Sequence, residues 1–284
     1  MKMSIIKKAS VFTILLLLAF LPLHVSAQTS QQLREKGMEY FSAKDYQSAL
    51  SMFNQAIEQG PESYMSYFLR GFTYSRLKQY EKAIPDYTKS IQLKPDISNH
   101  AYTERGMAYD MLGQYENAIS DYSIALKHDS VDFDLRRMRA AAYEALQKYE
   151  DAIADYSVVI RYTRKYDKPE LTIMYTLRSN AYRLNSEYEK AIADANEAVK
   201  LNPMRAFYYT NRAYIHNDFQ HYEKALADYT RAIKLDPKAA VNYVGRARTY
   251  KEMGQNDNAR ADLQKASQLK PGDEEIKKEL AELG

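Results

Sequence analysis

Proline recurs at a fixed interval in this chain. Pro61 and Pro95 are 34 residues apart, as are Pro203 and Pro237, and Pro237 and Pro271. Between Pro95 and Pro203 lie 108 residues, three such periods plus six. A unit of that size holds two helices and their connections. One copy cannot bury its own apolar face, so copies must stack on their neighbours.

With Pro61 at position 32, repeats begin at Ser30, Tyr64, Asn99, Phe133, Thr172, Ala206 and Ala240. Their spans are 30–63, 64–97, 99–132, 133–166, 172–205, 206–239 and 240–273. Ser98 and residues 167–171 are the six extras. Position 8 is always small: Gly37, Gly71, Gly106, Ala140, Ser179, Ala213, Ala247. Position 20 is always alanine: Ala49, Ala83, Ala118, Ala152, Ala191, Ala225, Ala259. Position 11 is Tyr in six repeats and His216 in the sixth. Position 24 is a ring in five repeats, Ala195 in the fifth and Leu263 in the last. Positions 4, 8 and 11 share one face of a helix, and 20, 24 and 27 share one face of a second. Small residues at 8 and 20 let the two backbones approach, and the rings fill the space around the crossing. Proline at 32 ends the second helix.

The runs RGFTYSRLKQYEKAIPDYTKSIQLKP (70–95) and RAYIHNDFQHYEKALADYTRAIKLDP (212–237) resemble tetratricopeptide repeats, and the resemblance covers residues 30–273. It implies an all-α fold: an α-solenoid (right-handed superhelix) of stacked antiparallel helix pairs, with a concave groove lined by first helices. It implies partner binding rather than catalysis. The chain departs from the pattern in places. Position 4 of repeat four is Arg136, and Pro85 sits early in a second helix. Ala195 predicts a looser joint in repeat five, and 167–171 predict a longer connection between repeats four and five. Residues 274–284 read as a capping helix, with Ile276, Leu280 and Leu283 covering the last repeat.

Position 7 is a column of cations: Lys36, Arg70, Arg105, Arg139, Arg178, Arg212, Arg246. It suggests a phosphate or nucleic-acid surface, but position 23 answers it. The six arginine repeats carry Asp86, Asp121, Asp155, Asp194, Asp228 and Asp262, while the lysine repeat carries Met52. Arg–Asp pairing inside each repeat accounts for both columns. Tyrosine at position 17 opens the second helix and packs toward the next joint. Charge points the same way. Of 40 basic residues, Lys2, Lys7 and Lys8 lie in the first 27, and beyond them 37 basic face 37 acidic residues. Nucleic acid is not an expected partner.

Nothing in the sequence points to an enzyme. There is no cysteine for a nucleophile, metal site or disulfide. His216 and His221 are five apart and do not share a helix face, and no glycine-rich phosphate loop occurs. No cofactor is expected.

The N-terminus reads as an export signal. Lys2, Lys7 and Lys8 precede an apolar run over 11–23, and Val25, Ser26 and Ala27 form a cleavage site before Gln28. Periplasmic or secreted localisation follows, with an uncleaved membrane anchor as the alternative. No later stretch is apolar enough to span a membrane.

Positions 2, 5, 9 and 12 cluster on a helix face away from the core face, and the resemblance implies that this face lines the groove. In repeats one to three they include Met38, Phe41, Met65, Phe68, Phe72 and Met107, with Met111 adjacent. Exposed there, they would bind an apolar or amphipathic segment of a protein. Packed against the next repeat, they would be core. In repeats five and six the same positions are mostly polar: Thr176, Asn180, Arg183, Thr210 and Asn217, with Phe207 and Tyr214 as exceptions. That half suits a polar peptide or a glycan. The Lys-x3-Asn clamp of chaperone-tail receptors is missing, since positions 5 and 9 read Arg34/Met38, Phe68/Phe72, Thr103/Met107 and Arg137/Ala141. The sequence therefore describes an exported, non-enzymatic docking scaffold. A peptidoglycan-binding receptor and a self-associating structural subunit are the alternatives.

Overall fold

Five of the second helices, those followed by the repeat proline, end in the same way. The residue before the repeat proline leaves helical geometry, as its neighbour's ring requires, and its N–H still donates to the carbonyl of position 27. Gly60 donates to Ala56, Lys94 to Ser90, Asn202 to Ala198, Asp236 to Ala232 and Lys270 to Ala266. Side chains then start the next helix: Thr29 in a capping box with Gln32, Ser63 onto Ser66, Asp132 onto Leu135, Asp273 onto Ile276.

The structure, a computed structural model, describes residues 28–95, 99–128, 130–163 and 168–283. The described residues are helical with short connections. The chain divides into two compact units, Met1–Glu104 and Arg105–Gly284, with the boundary inside one helix. The first unit holds α1 (Ser30–Ser42), α2 (Tyr46–Gln59), α3 (Tyr64–Arg76), α4 (Tyr80–Leu93) and the start of α5 (Asn99–Met111). The second holds the rest of α5, then α6 (Tyr115–His128), α7 (Phe133–Ala145), α8 (Tyr149–Thr163), α9 (Lys168–Leu184) and α10 (Tyr188–Leu201). After these come α11 (Ala206–Asp218), α12 (Tyr222–Leu235), α13 (Ala240–Glu252), α14 (Asn256–Leu269) and α15 (Glu274–Glu282). Successive helices pair, and the pairs stack as an α-solenoid within each unit.

Size complementarity sets the pairing. A Cβ on Gly37 would lie 2.5 Å from the Phe53 ring, on Gly71 3.1 Å from Tyr87, and on Gly106 2.7 Å from Tyr122. Those rings are fully buried. Glycine at position 8 is therefore the other half of the ring at position 24. Repeat five solves the problem differently. Ala195 does not leave a loose joint, because Ile215 from α11 joins the same buried cluster. The other repeats carry Glu39, Thr73, Ala108, Ala142, Ala181 or Thr249 at that place.

The turn between paired helices has a common geometry that glycine only partly marks. Position 15 has positive φ at Lys44, Lys78, Gly113, Gln147, Ser186, Gln220 and Gly254. The residue after it donates its N–H back to the carbonyl of position 11, as in Asp45 to Tyr40, Gln79 to Tyr74 and Gln114 to Tyr109. This is a left-handed helix stop, and five of these turns hold a side chain in the left-handed region at some cost.

Residues 168–171 do not lengthen a loop. They form the first turn of α9, which runs 17 residues where other first helices run 13. Leu171 is buried there in a cluster with Met174, Tyr175 and Tyr156. The expected capping helix is α15, whose Ile276 is buried among Tyr243, Leu263 and Ala266. The leader and its cleavage site lie outside the described residues. No helix among the described residues is long and apolar enough to cross a membrane.

Candidate functional site

The basic column is not a free surface. Arg70, Arg105, Arg139, Arg178, Arg212 and Arg246 each chelate the aspartate 16 residues later through Nε and Nη2, at 2.6–2.8 Å. The Asp86 hydrogen bond raises Arg70 above its ordinary value. Burial lifts the Asp86 and Asp194 carboxyls above the usual carboxylate range despite their partners. Such a pair orients more than it stabilises. Arg136, the odd residue at position 4, donates to Asp155 as well.

The remaining nitrogen does something the residue columns do not announce. Nη1 of Arg70 donates to Asn54, of Arg139 to Ser123, of Arg178 to Ser157, of Arg212 to Asn196 and of Arg246 to Thr230. Position 25 of one repeat is thus tied to position 7 of the next. One guanidinium fixes both the crossing within a repeat and the step to its neighbour.

On the first helices of unit one, Met38 and Met65 are exposed, at 39% and 37%. The phenylalanines fall between the two arrangements that the sequence left open. Phe41, Phe68 and Phe72 are half-buried. Phe72 stacks on Phe41 at 5.4 Å and on Phe68 at 6.0 Å, and Phe68 leans on buried Tyr87 at 5.8 Å. Arg76 lies 4.6 Å over the Phe72 ring. The rings join α1 to α3, while the methionines stand outside them. In unit two, Met107 and Met111 are exposed.

The polar half differs from expectation. Thr176 and Thr210 are buried rather than water-facing. Thr210 donates to Asn242, Asn211 to Ser179 and Thr249 to Asn217, each pair joining first helices 32 residues apart. Above this polar floor lies an open concavity of about 370 Å³, walled by Asn180, Arg183, Phe207, Tyr214 and Asp218. Arg183 is paired with Asp218. Phe207 is 59% exposed.

His216 takes the core place of a tyrosine. It is buried, and Nδ1 lies 3.1 Å from the Tyr188 hydroxyl. Burial holds its pKa down at about 4. The described residues contain no group of three acids or histidines placed to hold a metal.

Comparison with known proteins agrees with this architecture. Sequence models of the tetratricopeptide repeat match residues 64–97, 103–166, 173–203, 208–239 and 240–273. The chain belongs to the tetratricopeptide repeat family. It is 40% identical over 73 residues to Protein STIP1 homolog of Dictyostelium discoideum, covering 26% of this chain and 13% of that protein. It is 34% identical over 94 residues to human DnaJ homolog subfamily C member 3, covering 31% and 18%. The chain thus spans less than a fifth of these relatives. A tetratricopeptide repeat protein from Parabacteroides merdae superimposes with TM-score 0.62 at 20% identity, covering 90% of this chain and 99% of that one. The C-terminal part of a repeat protein from Cytophaga hutchinsonii gives 0.69 at 20% identity, covering 85% and 97%. At that identity the likeness concerns the fold.

Proposed function

We propose that the protein is an exported, non-enzymatic scaffold, periplasmic or secreted, that docks a protein or peptide segment on its first-helix face. The observation that carries this reading is the exposure of Met38 and Met65 beside a half-buried aromatic row. Flexible thioethers over rigid rings adapt to apolar side chains of a partner. Met107 and Met111 offer the same chemistry in unit two. Phe41, Phe68 and Phe72, being half-buried, serve both the docking surface and the fold.

Photo-crosslinking tests the site. A crosslinker placed at Met65 should join the partner in an envelope extract, while one at Glu81, exposed on the second helix, should not. Equal adducts from both positions reject the surface. Replacing Met38 by Ser should reduce the adduct formed from position 65, with no change in melting temperature. Phe68→Ala with Phe72→Ala should lower stability as well as binding, since both rings pack on neighbours. Cleavage of the leader requires Gln28 as the mature N-terminus, and intact Met1 in envelope protein rejects cleavage in favour of the membrane anchor.

A further inference from the structure

We propose that the concavity between α9 and α11 binds a neutral saccharide. It is a different place from the methionine face and does not rest on the docking reading. Its wall carries a largely exposed aromatic ring, Phe207, and a second, Tyr214, held edge-on against buried Tyr229 at 5.8 Å. A pyranose has one face of C–H bonds that stacks on such a ring, and hydroxyls around its edge that each donate and accept.

The rest of the wall answers those hydroxyls. The Asn180 amide and the Tyr214 hydroxyl make no hydrogen bond within the described residues, and each can both donate and accept. Asp218 accepts, and Arg183 donates. Nε of Arg183 is buried with no partner, a donor still lacking its acceptor. Arg183 and Asp218 neutralise each other, so the site has no net charge to select an ion. A peptide backbone offers one donor and one acceptor per residue, about 3.3 Å apart. Here an amide, a hydroxyl, a carboxylate and a guanidinium converge on one small volume. The cavity volume of 370 Å³ suits a compact ligand. The floor is already braced by the Asn211–Ser179 and Thr210–Asn242 bonds, so binding orders little.

Saturation-transfer NMR on the full chain tests the site, with cellotriose, maltotriose and chitotriose as probes and acetyl-tetra-alanine amide as the peptide control. At least one trisaccharide should receive saturation at millimolar concentration, and the peptide should not. Phe207→Ala should weaken the sugar about tenfold or more. Tyr214→Phe, which keeps the ring, should weaken it by a smaller factor. Both variants should melt as the parent does, and Met38→Ser with Met65→Ser should leave sugar binding unchanged. Transfer to none of the three sugars overturns the proposal. So does transfer to the peptide in their place, or a sugar signal that survives both Phe207→Ala and Tyr214→Phe.

Discussion

Ile215 on α11 occupies the buried cluster around Ala195 on α10, one repeat upstream. A large residue has moved from one helix to the next, and the joint remains filled. Ile215→Ala should therefore open a cavity and cost about 2–5 kcal/mol. Ala195→Tyr alone should overpack and also destabilise. Combined, the two changes should restore much of the loss, because the ring regains the place it holds in five other repeats. Denaturant unfolding of the two single variants and the pair measures this, and strictly additive losses would contradict it.

The guanidinium tie can be dissected at its most C-terminal copy. Asp262→Ala leaves Arg246 without its chelating partner and should cost about 1–3 kcal/mol. Thr230→Val removes only the step to the preceding repeat and should cost about 0.5–1.5 kcal/mol. Arg246→Ala in the Asp262→Ala background should then add little. A double-mutant cycle with no coupling would show that the pair is incidental.

The left-handed turns predict opposite outcomes for opposite changes. Lys78→Gly should raise the melting temperature, gaining up to about 1 kcal/mol, since φ at Lys78 is 58°. Gly113→Ala should lower it by about 1 kcal/mol, although nothing lies within 4 Å of the added Cβ. The dihedral angle alone is responsible. Equal melting for all three proteins would refute the cost assigned to this position.

His216 makes stability fall with acid. Burial, helped by Arg212, Lys224 and His221 and opposed by Asp228, depresses its pKa from 6.5 to about 4. Between those values the unfolded chain binds more protons at this site than the folded one. Its stabilising contribution is complete above pH 6.5 and is lost as pH falls toward 4. His216→Gln cannot titrate, so its melting temperature should fall less than the parent's over that window. Parallel curves would remove His216 as the cause.

The period, the pairing of helices and the Arg–Asp columns were legible in the sequence because each depends on spacing within a single repeat. Position 8 against position 24, and position 7 against position 23, are local relations that recur and so announce themselves. Several other features were not legible. The left-handed turns at Lys44, Lys78, Gln147, Ser186 and Gln220 carry no glycine to mark them. The acceptors at Asn54, Ser123, Ser157, Asn196 and Thr230 look like ordinary polar surface until the next repeat is stacked on them. Residues 168–171 read as a loop because proline and charge punctuate them, but burial of Leu171 draws them into α9.

The groove face shows the same division most clearly. Helical spacing placed Phe68, Phe72, Thr176 and Thr210 on one face from the sequence alone. Only the stacking decided that the two rings pack on Phe41 and Tyr87, and that Thr176 and Thr210 lie buried among the first helices. It also left Met38, Met65 and Phe207 open to solvent. Periodicity assigns a residue to a side of its own helix, whereas exposure depends on how closely the adjacent helix approaches. That distance is set by the residues of another repeat.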